Sequence, residues 1–225
     1  KWYWGLKNSF NPTRFNPEQW AQAAKAAGMR YAIFTTKHHD GFNMFNTAYS
    51  DFSISKGPFK TNPRADVAKY VFEAFRNNDL MVGAYFSKPD WHSEYYWWPR
   101  YATPRRTQNY NIEKNPWRWN QFKEFTYNQI SELMHNYGSI DILWLDGGWV
   151  NNPGTQSVLD MDRISQMARK AQPGILFVDR TIHGKYENYQ TPEQQIPDKQ
   201  LPYPWETCMT LGVDWGYTPH AVFKS

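Results

Sequence analysis

Cysteine is almost missing from this chain of 225 residues: Cys208 stands alone, which excludes an internal disulfide and a cysteine-based zinc site. It lies in an apolar stretch, where an inert buried thiol is the expectation. No apolar run approaches the roughly 18 residues of a membrane-spanning helix, so no membrane association is expected. No Gly-x-Gly-x-x-Gly follows any apolar segment, which argues against a dinucleotide-binding fold. Internal repeats and low-complexity tracts are absent as well. Charge is not gathered into a patch. The formal charge is +4 and the isoelectric point about 9.0, yet Lys and Arg are scattered, with an adjacent pair at Arg105-Arg106. Nucleic-acid binding would need clustering on one face and is not expected. An initiator methionine is lacking too. The chain opens Lys1-Trp2-Tyr3-Trp4, inside an aromatic run, and reads as a fragment or a processed product.

Aromatic residues are plentiful, at 18% of the chain with 12 Trp. Sugar C–H faces pack on such rings, so a carbohydrate site and a large aromatic core both fit the composition. The length suffices for one large domain with a real core.

Helix and strand patterns alternate along the chain. Asn16-Pro17 places an N-cap before a proline at the first helical position, and Gly28 closes a helix containing Trp20, Ala23, Ala24 and Ala27. Residues 29–36 then read as a buried strand ending at Lys37-His38-His39-Asp40-Gly41. A second helix is expected over residues 64–77, with Val67, Tyr70, Val71, Ala74 and Phe75 on one face. Further strands are expected over residues 80–86, 140–146, 174–179 and 206–211, and further helices over 117–136 and 157–171. The segment 87–116, rich in Trp, Tyr and Pro, reads as a long loop that shapes a site or is mobile. Alternation of this kind predicts right-handed βαβ units around a parallel sheet. Polar or aromatic residues at nearly every strand tip favour a (β/α)8-type TIM barrel over an open sheet. A full barrel takes about 250 residues, so the expectation is one barrel domain over residues 1–225, lacking its first strand and its C-terminal part.

The strand tips carry the candidate chemistry. Residues 140–149 form an apolar run closed by Asp146, two glycines and Trp149. That pattern aims a carboxylate at a sugar-sized pocket with a flat ring beside it; a turn aspartate after a strand explains Asp146 equally well. His38 and His39 could suggest a metal. Successive strand residues face opposite sides, however, so metal ligation is not expected, and rings hydrogen-bonding hydroxyls fit better. Arg180 could steady a carboxylate or form a surface ion pair. Asp66 reads as an acid in the first turn of a helix. Glu187, Glu193 and Glu206 are the available partners of Asp146; a retaining glycosidase needs its second carboxyl group about 5 Å away.

Together these motifs form a set. Phe15-Asn16-Pro17 with Trp20, residues 27–31, Lys37-His38-His39-Asp40-Gly41-Phe42 and Gly83-Ala84-Tyr85-Phe86-Ser87 resemble the α-L-fucosidases of glycoside hydrolase family 29. So do Trp144-Leu145-Asp146-Gly147, Asp179-Arg180, residues 205–210 and Trp215-Gly216-Tyr217. The likeness runs over nearly the whole chain in order. It implies a retaining exo-glycosidase that removes terminal α-L-fucose from oligosaccharides, polysaccharides or glycoconjugates through a covalent fucosyl-enzyme. By resemblance Asp146 is the nucleophile, and His38 and His39 bind fucose hydroxyls. Tyr85, Arg180, Trp2 and Trp215 line the sugar pocket, joined by Trp149 from the reading above. Glu206, by motif position, ranks ahead of Glu193 as acid/base, although a residue that opens a strand should lie at the far end of the barrel; Glu187 ranks third.

The resemblance also implies a fucosylated glycan as partner, no cofactor, and an extracellular, periplasmic or lysosomal location. Self-association into a homo-oligomer is left open. The first strand's histidine motif is not found, and Lys1-Trp2-Tyr3 stands where the family has Glu-Trp-Tyr. The alternative reading is therefore an inactive fucose-binding relic of the same fold.

Overall fold

The computed structural model describes residues 2–103, 106–180, 182–216 and 218–224. Lys1, Arg105 and Tyr217, each cited in a motif above, lie outside the described residues. Four strands, β1 (Tyr31–Lys37), β2 (Met81–Ser87), β3 (Ile142–Asp146) and β4 (Leu176–Asp179), form one parallel sheet in the order β1-β2-β3-β4. A single helical turn, α1 (Trp2–Gly5), precedes α2 (Pro17–Ala26), α3 (Val67–Arg76), α4 (Pro116–Asn136) and α5 (Met161–Ala171). Helices α3, α4 and α5 connect the successive strands. Sequential order with parallel pairing and helical crossovers is how a (β/α) barrel is wound, and these elements are four consecutive strands of one.

Local chemistry sets the boundaries. Asn16 accepts a hydrogen bond from the Gln19 amide at 3.1 Å with Pro17 at the first helical position, and Asp160 caps α5 through the Arg163 amide at 3.1 Å. Helix α2 buries Pro17, Ala21 and Ala24, whereas Trp20 and Ala23 face outward. Helix α3 buries Val67, Ala68, Val71, Phe72, Ala74 and Phe75. Tyr70 stays half-buried and donates its hydroxyl hydrogen to the Pro63 carbonyl. Asp66 precedes α3 and accepts from the Tyr137 hydroxyl at 2.9 Å.

Two apolar layers flank the sheet, because side chains alternate between its faces. The larger lies between sheet and helices and includes Ala84, Phe86, Leu143, Leu145 and Phe177. The smaller, on the inner face, gathers Ile142, Trp144 and Val178 with Ile33, Tyr85, Tyr189 and Cys208 packed against it.

Three expectations need correction. Strand β1 is only partly buried, since it is a sheet edge and its inner-face residues Ile33 and Thr35 line an open cavity. Residues 206–211 do not form a strand; residues 205 and 208 make isolated bridges, Gln190 to Trp205 and Glu193 to Cys208, and Cys208 packs on the inner face of the sheet against Ile142, Trp144 and Val178. Cys208 is half-buried rather than sealed in the core and lines the same cavity.

Candidate active site

The site lies beyond the strand tips. In the pairing of β2 with β3, Tyr85 lies opposite Trp144 and Ser87 opposite Asp146. The period of two puts all four on the inner face. Gly147 follows Asp146 with φ +92°, and a side chain there would meet Pro89 at 2.4 Å. That left-handed turn lets the Gly147 amide return to Asp146 Oδ1 at 2.7 Å.

Asp146 is held by four groups. Oδ1 accepts from Gly147 N and from Arg180 at 3.1 Å. Oδ2 accepts from the Tyr85 hydroxyl at 2.5 Å and faces His39 Nε2 at 3.5 Å. Burial pushes this carboxyl up, but the Tyr85 hydrogen bond, the Arg180 guanidinium and the other donors outweigh it and hold Asp146 below the usual carboxylate range. Burial, followed by the charge of the same carboxylate, drives the Tyr85 phenol strongly upward, so it stays a hydrogen donor. Burial, followed by the charge of His38, lowers His39 to about 4. Its ring is therefore neutral near neutral pH. With a proton on Nε2 directed at Asp146, its Nδ1 can accept from Ser87 Oγ at 2.8 Å.

His38 and His39 lie past the end of β1, in a turn closed by the Gly41 amide on the His38 carbonyl at 3.0 Å, and the alternation of a strand does not apply to them. Their rings lie 4.2 Å apart on the same side, which corrects the argument that they must diverge. Together with Asp146 they bring three ligand-type atoms within 4.8 Å of one another. Asp146, however, already meets an amide, a guanidinium and a phenol, a donor set suited to holding an anion beside a hydroxyl-bearing ligand.

Arg180 is buried rather than a surface group; it spans Asp146 and Glu193, the latter at 2.5 Å. Glu206 has no cation partner among the described residues. Its Oε2 accepts from Tyr31 at 2.7 Å and Tyr189 at 3.2 Å, and its Oε1 from the Trp144 indole at 3.3 Å. Although Tyr31 opens β1, Glu206 lines the same cavity as Asp146, which answers the objection that it belongs at the far end of the barrel. Glu187 pairs with His183 at 3.1 Å and lies outside the cavity lining.

These groups line a cavity of about 770 Å³ that includes His38, His39, Tyr85, Asp146, Trp149, Arg180, Glu193, Glu206 and Trp215. Trp2 does not reach it. The indole sits on the one-turn helix α1 and is 79% exposed, while Trp4 turns inward against Phe52 and His92. Sequence reasoning missed Trp91, Arg106, Trp144 and Asn152 in the lining. Trp144 was recoverable from the two-residue period with Asp146; the other three lie on loops with no periodic signal. Also missed were two buried ion pairs behind the tips, Lys37 with Asp90 at 3.1 Å and Lys88 with Asp179.

A family model described as Alpha-L-fucosidase matches residues 2–225. The plasma alpha-L-fucosidase of Homo sapiens is 27% identical over 231 residues, covering 94% of this chain and 43% of its own. Alpha-L-fucosidase isoenzyme 1 from Paenibacillus thiaminolyticus superposes with a TM-score of 0.81 at 33% identity, covering 97% of this chain and 54% of that one. A Bacteroides thetaiotaomicron alpha-L-fucosidase, solved as a trapped covalent intermediate with 2-fluoro-fucosyl fluoride, gives 0.78 at 25% identity, covering 99% and 53%. The chain spans about half the length of these relatives.

Proposed function

The chain belongs to the alpha-L-fucosidase family, and on that premise we propose that it is the catalytic barrel of a retaining exo-α-L-fucosidase acting on fucosylated glycans. One constellation carries the reading: an ionised Asp146, fixed by Tyr85, Arg180 and the Gly147 amide, at the base of an aromatic cavity. A carboxylate held this way is a preorganised nucleophile. It attacks the anomeric carbon while the bond to the leaving oxygen breaks, and Glu206 supplies the proton that oxygen needs. Glu206 then removes a proton from water, whose oxygen displaces Asp146 and releases fucose.

Glu206 suits this part better than Glu193. Its neighbours are phenols and an indole that leave it free of any cation among the described residues, whereas Glu193 is already engaged by the guanidinium that also holds Asp146. His38 and His39 hydrogen-bond the sugar hydroxyls, and Trp149 and Trp215 pack on its apolar faces. Carbohydrate breakdown outside the cytosol follows from this reading. It is supported by the human relative being named a plasma enzyme. No helix among the described residues is long and apolar enough to cross a membrane.

The test uses 4-nitrophenyl α-L-fucoside and 2-fluoro-fucosyl fluoride. The chain should release nitrophenol, and Asp146→Gly should lower kcat by about a thousandfold or more. Mass spectrometry of the trapped chain should place the fucosyl adduct on Asp146. An adduct elsewhere, or unchanged turnover in Asp146→Gly, overturns the nucleophile assignment. Fucose binding without turnover overturns the enzyme in favour of a binding protein.

A further inference from the structure

The cavity has a floor and a mouth of different character. Tyr85, Trp144, Asp146 and Arg180 make the floor on the strands and their tips, while Trp91, Arg106, Trp149 and Asn152 stand on the loops above it. A volume of about 770 Å³ lies in the upper part of the range that takes drug-sized ligands, more than one pyranose fills. An exo-acting site holds the terminal sugar on the floor, so the leaving sugar meets the mouth.

Charge at the mouth is not balanced. On the floor, Arg180 faces two carboxylates, Asp146 and Glu193, and Glu206 is occupied by neutral donors. Arg106 has no ion-pair partner among the described residues, and its guanidinium lies 5.0 Å from the centre of the Trp149 ring. Its backbone is anchored by the same aromatics. The Arg106 carbonyl accepts from the Trp91 indole at 3.3 Å and from the Tyr96 hydroxyl at 2.9 Å. That hydroxyl in turn accepts from the Trp149 indole at 3.2 Å. Tyr96 is fully buried, so this chain of bonds rests on the core. The result is an aromatic wall with a cation resting on it, five donor hydrogens and no acceptor.

We propose that Arg106, backed by Trp149 and Trp91, forms a leaving-group subsite that selects fucosides whose penultimate sugar bears an anion, a sulfate ester or a carboxylate. This rests on the fucosidase reading for the orientation of substrate, with the terminal sugar inward. A fork of guanidinium donors pairs with either anion in the same bidentate way, while Trp149 and Trp91 hold that guanidinium in place. The chain's net charge of +4 adds long-range attraction for an acidic glycan.

Calorimetric titration decides the matter, in the Asp146→Asn background so that no probe is consumed. The probes are α-L-fucosyl-galactose, the same disaccharide sulfated at the galactose primary hydroxyl, and its galacturonate counterpart. At low salt the anionic probes should bind about three- to tenfold more tightly than the neutral one. High salt and an added Arg106→Gln substitution should each remove the difference, and Arg106→Lys should keep part of it. A preference for the sulfated probe alone identifies a sulfate subsite; a preference for both identifies an anion subsite. Equal binding of all three, or a preference that survives Arg106→Gln, overturns the proposal. Hydrolysis of 4-nitrophenyl α-L-fucoside by the unmodified chain reports on the fucosidase reading separately. Turnover with equal binding, or with no binding of any probe, sinks the subsite alone; anionic preference without turnover sinks the activity alone; neither binding nor turnover sinks both.

Discussion

The Tyr85 hydroxyl donates to Asp146 Oδ2 at 2.5 Å, from the neighbouring strand and two residues short of the position opposite Asp146. This bond is the leading influence that holds the carboxyl below its usual range against the burial that would raise it. Tyr85→Phe removes the donor and keeps the ring. Asp146 should then take up a proton at higher pH, and the acidic limb of kcat/KM should move upward by about one pH unit, equivalent to a charge-assisted hydrogen bond worth about 1.4 kcal/mol. A pH profile with an unmoved acidic limb would show that Tyr85 does not tune Asp146.

Glu206 and Glu193 separate by chemical rescue. Removing an acid/base leaves a glycosyl-enzyme that water attacks slowly, and a small anion replaces the missing base. With an activated aryl fucoside, azide should accelerate Glu206→Ala by about tenfold or more and leave fucosyl azide as product. Glu193→Ala should show no such rescue; it frees one side of Arg180 and so raises KM. Rescue of Glu193→Ala instead would exchange the two assignments.

His39 makes stability depend on pH. Its native value of about 4 lies under its ordinary 6.5, so between these values the unfolded chain binds a proton that the native chain does not. Stability is thus unaffected by His39 above pH 6.5, falls as the pH drops toward 4, and levels off below. The limiting slope for one proton is about 1.4 kcal/mol per pH unit. Urea midpoints across this window should decline in the parent chain and decline less in His39→Asn. An equal decline in both would assign the effect to another group.

Lys88 and Asp179 form a buried pair behind the catalytic tips, and the Lys88 amide also donates to the Asp146 carbonyl at 2.9 Å. Lys88→Met leaves the Asp179 carboxylate in the interior without its cation, at a cost of about 3–5 kcal/mol. Lys88→Met with Asp179→Leu removes both charges and should recover much of that loss in thermal unfolding. If the double variant is no better than the single one, the pair is not what stabilises this corner.

How much of this was legible depended on whether the signal was local. Caps such as Asn16 and apolar faces such as that of α3 depend on neighbours a few residues away, so their elements were readable to within a few positions. Residues 206–211 have a strand's pattern but not its partner; bridges to residues 190 and 193 hold them instead. The His38 and His39 rings lie on one side, against the expected divergence, because strand alternation ends one residue earlier, at Lys37. Trp2 and Trp4 are indistinguishable by type, and only the direction of one helical turn decides which faces the protein.

By itself the sequence determined the alternation of strands and helices, the parallel sheet, and the placing of Asp146 and Arg180 at strand tips. Those follow from periodicity and punctuation along a single stretch of chain. Tertiary structure alone decided which charges meet: Arg180 between Asp146 and Glu193, Glu206 among phenols, and Arg106 anchored through Tyr96 over Trp149. Those partners are brought together by sheet register and loop packing across tens of residues, and no short-range pattern encodes such a distance.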